Sequence, residues 1–177
     1  RQVHRDHREL LGGAALNEQD PIVVGNARER PCLRLRVGDD LLEGGTENDS
    51  LYGGGDDDVL RGGTGQDFLS GGTGNDQLLG QDGDDSAEGG AGFDQLFGGL
   101  GNDTMDGGAN TDTLSFIGAA ATNVDMTIGT ATSTDGTDTF SNFENITGSI
   151  NSDTIVGSTG ANNISSAGGN DSVFAEG

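Results

Sequence analysis

Nine aspartates follow one another at an unbroken spacing of nine residues, and this spacing is the strongest chemical signal in the chain. They are Asp40, Asp49, Asp58, Asp67, Asp76, Asp85, Asp94, Asp103 and Asp112. Glycines precede them at fixed offsets, and glycine lets the backbone enter conformations in which successive carbonyls turn toward one point. Carboxylate and carbonyl oxygens are the ligands that Ca²⁺ prefers, about six to eight of them at about 2.3–2.6 Å. The spacing therefore predicts a series of cation sites.

An apolar residue stands two positions after each aspartate, which places the carboxylate beside a core. These residues are Leu42, Leu51, Leu60, Leu69, Leu78, Ala87, Leu96, Met105 and Leu114. Glycines open successive units at Gly44, Gly53, Gly62, Gly71, Gly80, Gly89, Gly98 and Gly107. A second glycine follows each of them except Gly80, which is followed by Gln81. The unit reads G-G-x-G-x-D-x-U-x, where U is a large apolar residue.

This unit resembles the calcium-binding nonapeptide repeat of the RTX family of secreted bacterial proteins. The clearest copies are residues 62–70 and 71–79, and residues 98–106 are almost as regular. The resemblance covers residues 35–115 and, in weaker form, residues 148–177. It implies that calcium is bound between stacked turns of the chain.

The x-U-x triplet is long enough for a short strand whose middle side chain faces inward. Two successive units then make one coil, and stacked coils place the U residues in two facing rows and the turns along two edges. We therefore expect an all-β fold, a calcium-stabilised parallel β-roll (a β-solenoid), with an irregular or disordered N-terminal segment. In this geometry Asp49 lies over Asp67, and Asp58 over Asp76.

The resemblance also implies a ligand set. The earlier of two stacked turns gives its aspartate and the carbonyls of unit positions 2 and 4, and the later turn gives its aspartate and the carbonyls of positions 1 and 3. One such site is Gly63, Gly65 and Asp67 with Gly80, Asp82 and Asp85, and the next is Gly72, Gly74 and Asp76 with Gly89, Ala91 and Asp94. Seven sites result, from Asp40 with Asp58 to Asp94 with Asp112, and we expect about five to eight Ca²⁺ ions. Further candidate ligands are Gly45, Gly54, Gly62, Thr64, Gly71, Thr73, Gly83, Gly90, Gly92, Gly98, Leu100, Gly107 and Ala109.

Several copies depart from the unit. Glu47, Asp56 and Asn110 replace the fourth-position glycine, and we expect strained turns at the first two. Ala87 replaces a larger core residue, so its layer should be underpacked.

We divide the chain into residues 1–36, an irregular or disordered segment; 37–115, the roll; 116–147, a β-rich connecting or capping segment; and 148–177, a second, degenerate and truncated repeat block. Alternating residues at 124–128 and 137–140 predict half-buried strands within the connecting segment. In the second block Ile155, Ile164 and Val173 are predicted core residues. Asp153 and Asp171 are separated by two repeat lengths and predict one further site, whereas Asn162 between them carries no charge.

The composition disfavours an ordinary globular core. The chain has 30 acidic and 8 basic residues, a net charge of −22 and 34 glycines. Low hydrophobicity with high net charge is typical of chains that cannot offset the entropy of folding. Stacked carboxylates about 5 Å apart repel by roughly 1 kcal/mol per pair even in water. We therefore expect the chain to be disordered without calcium and folded with it.

The same charge disfavours nucleic acid and anionic membranes as direct partners. No stretch reaches the roughly 18–20 apolar residues of a transmembrane segment. Cys32 is the only cysteine and cannot form an internal disulfide. His4 and His7 lack the other ligands of a zinc site, and the sequence contains no H-E-x-x-H motif. With no nucleophile and base in a recognisable pair, we do not expect an enzyme.

The resemblance implies a secreted, extracellular or cell-surface module whose folding on calcium stabilises a larger protein or assists its secretion by a type I apparatus. Three alternatives remain. The chain could be the C-terminal part of a secreted protease, lipase, alginate epimerase or toxin. It could be a calcium-dependent adhesin or matrix element that binds a cell surface or polysaccharide. Residues 37–115 could also be a flexible Gly/Asp-rich tract without ions. Because the chain begins at Arg1 and stops within a turn at Gly177, we expect a fragment or processed piece.

Overall fold

The computed structural model describes residues 33–34 and 38–175, and every helix or strand element within these residues is a β-strand. Nowhere in these ranges is there a helix with the length and apolarity that crossing a bilayer requires. The strands are β1 (Leu33–Arg34), β2 (Leu41–Thr46), β3 (Ser50–Gly55), β4 (Val59–Thr64), β5 (Phe68–Thr73), β6 (Gln77–Asp82), β7 (Ser86–Gly92), β8 (Gln95–Leu100), β9 (Thr104–Asn110), β10 (Thr113–Ser115), β11 (Asn123–Asp125), β12 (Thr130–Thr132), β13 (Thr137–Ser141), β14 (Asn145–Thr147), β15 (Thr154–Val156), β16 (Asn163–Ser165) and β17 (Ser172–Phe174).

Successive repeats contribute strands alternately to two sheets, which confirms the predicted parallel β-roll. The roll has about seven coils. One sheet has ten strands in the order β1-β3-β5-β7-β9-β13-β12-β11-β15-β17, and the other has seven in the order β16-β14-β10-β8-β6-β4-β2. Within the repeats each strand pairs in parallel with the next strand but one, as Leu51 does with Leu69 and Leu42 with Leu60.

The strands of the repeats are six or seven residues long, longer than the predicted triplet. They continue through the glycines of positions 1 and 2, so that Gly54 pairs with Gly72 and Gly63 with Gln81. The inward-facing residues of a strand are therefore the U residue and the position-1 glycine, as at Leu69 and Gly71 in β5.

The core follows the predicted U positions. All nine are buried, with no side chain more than 3% exposed: Leu42, Leu51, Leu60, Leu69, Leu78, Ala87, Leu96, Met105 and Leu114. A fully buried leucine contributes about 1.5–3 kcal/mol relative to an exposed one, so this row is the main hydrophobic stabilisation of the roll.

The connecting segment extends the roll, as its alternating residues predicted. Strands β11 and β13 contain buried Val124 and Phe140, and β12 lies between them, antiparallel to both. The expected strand at 124–128 ends early because Asp125 accepts a hydrogen bond from the backbone of Thr127, and Ile128 is exposed.

The second block keeps the register of the repeats, with Ile146 paired to Ile164 and Ile155 to Val173. Ile155 is fully buried and Ile164 is partly buried. The prediction of Val173 as a core residue was wrong, since this side chain is 47% exposed. Its strand, β17, ends the ten-stranded sheet, and no later strand of the described chain covers it.

The roll begins earlier than predicted. Strand β1 lies within the segment expected to be irregular, and Leu33 pairs with Leu51 in the parallel register that the repeats follow. The rest of residues 1–36 lies outside the described residues.

Candidate metal sites

The turns between strands stack along two edges of the roll. We call the edge with Asp40, Asp58, Asp76, Asp94 and Asp112 the first edge, and the edge with Asp49, Asp67, Asp85 and Asp103 the second edge. Each aspartate immediately precedes a strand, so the parallel register of the strands brings aspartates of successive coils into contact.

In seven of these aspartates, from Asp58 to Asp112, one carboxylate oxygen is held by the turn before it. Asp67 Oδ1 accepts a hydrogen bond of 2.8 Å from the backbone N–H of Asp49, and Asp76 Oδ1 accepts one of 2.8 Å from Asp58. The same bond recurs along both edges. The predicted stacking of aspartates is therefore confirmed, and these seven carboxylates are fixed in orientation.

The other oxygen, Oδ2, is buried and has no hydrogen-bond partner in eight of these aspartates: Asp49, Asp58, Asp67, Asp76, Asp85, Asp94, Asp103 and Asp112. None of the eight residues is more than 6% exposed. Leaving an ionised group buried without a partner costs on the order of several kcal/mol. A row of such oxygens therefore fits a bound cation.

The position-1 glycine leaves the space that each Oδ2 faces. A Cβ on Gly62 would lie 2.5 Å from Asp67 Oδ2 and 2.7 Å from the carbonyl oxygen of Gly80 in the next turn of that edge. On the first edge, a Cβ on Gly89 would lie 2.6 Å from both Asp94 Oδ2 and the carbonyl oxygen of Gly107. Any side chain here would fill the space between a carboxylate and a carbonyl.

Other carbonyls converge on the same layer between turns. Gly63 and Gly65 have φ of 118° and 139°, and a Cβ on either would collide with the carbonyl oxygen of the equivalent residue one coil earlier, Gly45 or Glu47. The carbonyls of positions 2 and 4 thus face the later turn. From the later side, Asp82 O accepts a 2.9 Å hydrogen bond from Gly65 N–H. The structure brings together the groups of the predicted ligand set, and their assignment as ligands stays a prediction.

Four residues that replace these glycines also adopt positive φ: Glu47 (89°), Asp56 (72°), Gln81 (82°) and Asn110 (89°). The strain predicted for Glu47 and Asp56 is confirmed. A left-handed conformation costs a non-glycine residue about 1–2 kcal/mol. The chain therefore keeps the carbonyl orientation of the turn even where the residue disfavours it.

Burial raises the pKa of all nine repeat aspartates above the usual value for aspartate. It raises the pKa of Asp58 and Asp85 to about 7 and that of Asp76, Asp103 and Asp112 to about 6. The backbone hydrogen bond to each of them lowers the pKa in part, and neighbouring carboxylates raise it further. The stacked aspartates are thus costly to ionise unless a cation lies beside them.

Sequence reasoning missed a second, outer set of bonds at unit position 5. Asn48 Oδ1 accepts from Gln66 N–H at 2.9 Å, and Asp57 Oδ1 accepts from Asn75 N–H at 2.7 Å. The signal was present in the sequence, because position 5 is Asp or Asn in most repeats. These bonds hold successive turns in line on the solvent side.

Two acidic residues that continue the edges were also missed. Asp103 N–H donates to Asp138 Oδ1 at 3.0 Å, and Asp112 N–H donates to Glu144 Oε2 at 3.0 Å. Asp138 and Glu144 each stand two residues before a buried apolar residue, as the repeat aspartates do. Neither follows a double glycine, but Gly136 precedes Asp138 at unit position 4, and a Cβ on it would collide with the carbonyl oxygen of Gly101.

In the second block the predicted pair keeps its register, and Asp153 N–H donates to Asp171 Oδ1 at 3.0 Å. Both oxygens of Asp153 are already bonded, however: Oδ2 accepts from Ser149 N–H at 2.7 Å and Oδ1 from Thr122 N–H at 2.8 Å. The further site predicted here stays a prediction, and it lacks the free buried oxygen found in the repeats.

Side chains alone do not form a metal site in the described part of the chain, where no three His, Cys, Asp or Glu residues converge. His4, His7 and Cys32 lie outside the described residues.

A parallel roll whose stacked turns are lined by carboxylates and carbonyls defines the class of calcium-binding β-solenoids. The family model of the RTX calcium-binding nonapeptide repeat, which represents four copies, matches residues 37–69, 52–87, 62–96, 79–114 and 147–177, more than half of the chain. The chain therefore belongs to the RTX calcium-binding nonapeptide repeat family, and calcium binding in a β-roll follows from this membership. No curated protein matches the chain.

Proposed function

We propose that this chain is a secreted calcium-binding module of a larger protein, which folds when it binds Ca²⁺ outside the cell and assists the secretion or stability of that protein. The observation that carries the proposal is the set of eight buried Oδ2 atoms without partners, together with the carbonyls that face the same layers between turns.

In the proposed sites each ion lies between two stacked turns of one edge. Between the turns of Asp67 and Asp85, the carboxylates of both residues and the carbonyls of Gly63 and Gly80 are among the groups that would hold it. Calcium accepts such a mixture of carboxylate and carbonyl oxygens. When bound, the ion supplies positive charge that offsets the negative charge of the stacked aspartates.

Folding and binding are coupled in this proposal because the site exists only when two coils stack. The binding energy is then folding energy. Extracellular calcium modules commonly bind at about 10⁻⁴–10⁻³ M, so a compartment poor in free calcium would keep the chain unfolded and competent for export. We assign the module itself no catalytic step, because its recurring geometry is that of acidic groups directed at neighbouring turns.

Circular dichroism in the far ultraviolet tests the proposal directly. The chain is titrated with Ca²⁺ from an excess of chelator to about 10 mM, a range that spans extracellular affinities. We expect a change from a coil spectrum to a β spectrum. Mg²⁺ at the same concentrations should not produce it, because this ion requires a tighter octahedron and retains its water.

A coil spectrum at every calcium concentration would contradict calcium-dependent folding. Equal folding in Mg²⁺ would contradict sites rich in carbonyl ligands. A chain that is fully folded in chelator would contradict the proposed link between low calcium and export.

A further inference from the structure

The connecting segment supplies a turn to each edge at the point where the regular repeats end. Residues 115–146 lie outside the stretches that match the repeat family. Nevertheless residues 133–138 stack on the last repeat turn of the second edge, and residues 142–144 stack on that of the first edge. These two short turns carry acidic residues at the places where the repeats carry aspartate.

On the first edge, Asp112 is fully buried and its Oδ2 has no hydrogen-bond partner. A Cβ on Gly107 would lie 2.9 Å from this oxygen and would also collide with the carbonyl oxygen of Asn142. In the repeats, the carbonyl oxygen at this place comes from the position-1 residue of the later turn. Asn142 therefore takes its place, in a turn of three residues.

Glu144 takes the place of the later aspartate in the same layer. Its Oε2 accepts a 3.0 Å hydrogen bond from Asp112 N–H, the bond that Oδ1 of an aspartate accepts elsewhere on this edge. The longer side chain of glutamate compensates for the shorter turn. Gly108 and Asn110 in the earlier turn have φ of 100° and 89°, the conformation of the regular repeats at positions 2 and 4.

On the second edge, Asp103 is 2% exposed and its Oδ2 also has no partner. Asp138 Oδ1 accepts from Asp103 N–H at 3.0 Å, and Asp135 O accepts from Gly101 N–H at 2.9 Å. The second of these hydrogen bonds corresponds to the one that Asp82 O accepts from Gly65 N–H in the repeats. Residues 133–138 thus reproduce the contacts of positions 3 and 6 without the double glycine.

The two layers are not equivalent. The three atoms nearest to a Cβ on Gly98 all belong to Asp103, and the carbonyl that a regular later turn places there is not among them. Any carbonyl oxygen of the later turn on the second edge therefore lies at least 3.1 Å from this point, whereas the carbonyl oxygen of Asn142 lies closer to the equivalent point on Gly107.

We propose that the connecting segment completes two further calcium sites. One is formed by the carboxylate of Asp112 with the carbonyl of Asn142 and the carboxylate of Glu144. The other is formed by the carboxylate of Asp103 with the carbonyl of Asp135 and the carboxylate of Asp138. The inference rests on the proposed calcium-dependent roll and adds to its seven repeat sites. Calcium at these positions attaches the connecting segment, and with it the second block, to the end of the repeats. The first-edge site binds more tightly than the second-edge site.

Counting bound ions by native mass spectrometry of the calcium-saturated chain tests this inference. Glu144→Gln and Asp138→Asn each keep a side-chain oxygen for the backbone hydrogen bond but remove the charge. We expect each variant to bind one ion fewer than the unsubstituted chain, and the double variant two fewer. Glu88→Gln is the matched control, since Glu88 is exposed on the outer face of β7, and its count should not change.

The result separates this inference from the function it rests on. If the unsubstituted chain binds no calcium, the proposed function fails. If it binds calcium and folds, but both variants fold and keep its full count, the two further sites are refuted while the proposed function stands.

A structure of the unsubstituted chain with a lanthanide in place of calcium decides the matter if the variants do not fold. Anomalous peaks beside Asp112 Oδ2 and Asp103 Oδ2 would support the two sites. A crystal with peaks between the turns of Asp49 and Asp67 but none at these two positions would overturn them.

Discussion

The two repeat blocks share a register but differ in what their acidic residues contact. In both blocks a backbone N–H donates to the carboxylate of the equivalent turn one coil later, as Asp49 does to Asp67 and Asp153 to Asp171. In residues 44–115 every position-2 residue has positive φ. In the second block Ser149 and Ser158 at that position do not, although Ala167 does. The N–H groups of the two serines donate to the acidic or amide residue of their own turn. A nine-residue period with aspartate therefore makes a stack of coils, and we expect a cation site to need the left-handed residue at position 2 as well.

The largest expected effect comes from filling the site at position 1. A Cβ on Gly71 would collide with Asp76 Oδ2 and lie 2.6 Å from Gly89 O, whereas on Gly157 its nearest neighbour is Asn162 Oδ1 at 3.0 Å. We expect Gly71→Ala to lower the free energy of unfolding in saturating calcium by about 3 kcal/mol or more. Gly157→Ala should cost under about 1 kcal/mol. Urea denaturation followed by circular dichroism measures both, and equal losses would remove the distinction between the blocks.

Acid should weaken calcium binding by the first block. Burial raises the pKa of Asp58 and Asp85 to about 7, so their protonated forms favour the metal-free roll below that pH, and this contribution is lost as pH rises through about 7. Protons and calcium compete for the same oxygens. The aspartates of the unfolded chain stay ionised over this range, so the metal-free roll should gain about 1 kcal/mol or more of stability per group between pH 8 and pH 5.5, and calcium should add correspondingly less. Circular dichroism in chelator and in saturating calcium measures both effects. Aspartates with ordinary pKa values would give the same stabilisation by calcium at both values of pH.

Removing one carboxylate charge should separate the blocks more finely. Asp67→Asn keeps the acceptor for Asp49 N–H but removes a charge shared by two adjacent layers, and we expect the calcium midpoint to rise about tenfold, or about 1.4 kcal/mol. Asp153→Asn should cost about 1 kcal/mol of stability through its bonds to Ser149 and Thr122. It should leave the midpoint within about twofold. Calcium titrations of both variants would contradict the comparison if the two midpoints moved together.

The smallest expected effect concerns strain at position 2. Gln81 and Ala167 have φ of 82° and 61°, and glycine at either site relieves a left-handed strain. After the entropy that glycine adds to the unfolded chain, each substitution should stabilise the protein by about 0.5–1 kcal/mol. Only Gln81→Gly should also lower the calcium midpoint, because its carbonyl faces a proposed ion layer. A shift of the midpoint in Ala167→Gly instead would place calcium in the second block.

The sequence was sufficient for the first block because its information is local and repeated. The offset of Leu42 and its equivalents from the aspartates determines which side chains face inward, and the coil length determines which residues pair. The connecting segment was less predictable, since Asp138 and Glu144 follow their ladder partners by 35 and 32 residues, neither a multiple of nine. The antiparallel strand β12 has no counterpart in the repeat.

Within the candidate sites, the stacking of aspartates could be predicted, but not whether their Oδ2 atoms accept a hydrogen bond. That depends on the backbone conformation of position 2, which a serine leaves open. Ser149 N–H donates a hydrogen bond of 2.7 Å to Asp153 Oδ2, and only the three-dimensional structure shows this bond. The burial of Val173 could not be judged either, because it depends on whether another strand follows β17.

In the repeat aspartates from Asp58 to Asp112, the two oxygens face opposite directions along the roll, one toward the turn before and one toward the layer after. Each turn is therefore linked to the two nearest turns of its edge and to no others, which is the arrangement of a one-dimensional Ising chain. The steepness of the calcium response should grow with the number of uninterrupted turns on an edge. A defect in the middle of an edge would divide it into two shorter and less sharply responding lengths, whereas the same defect at an end would only shorten it.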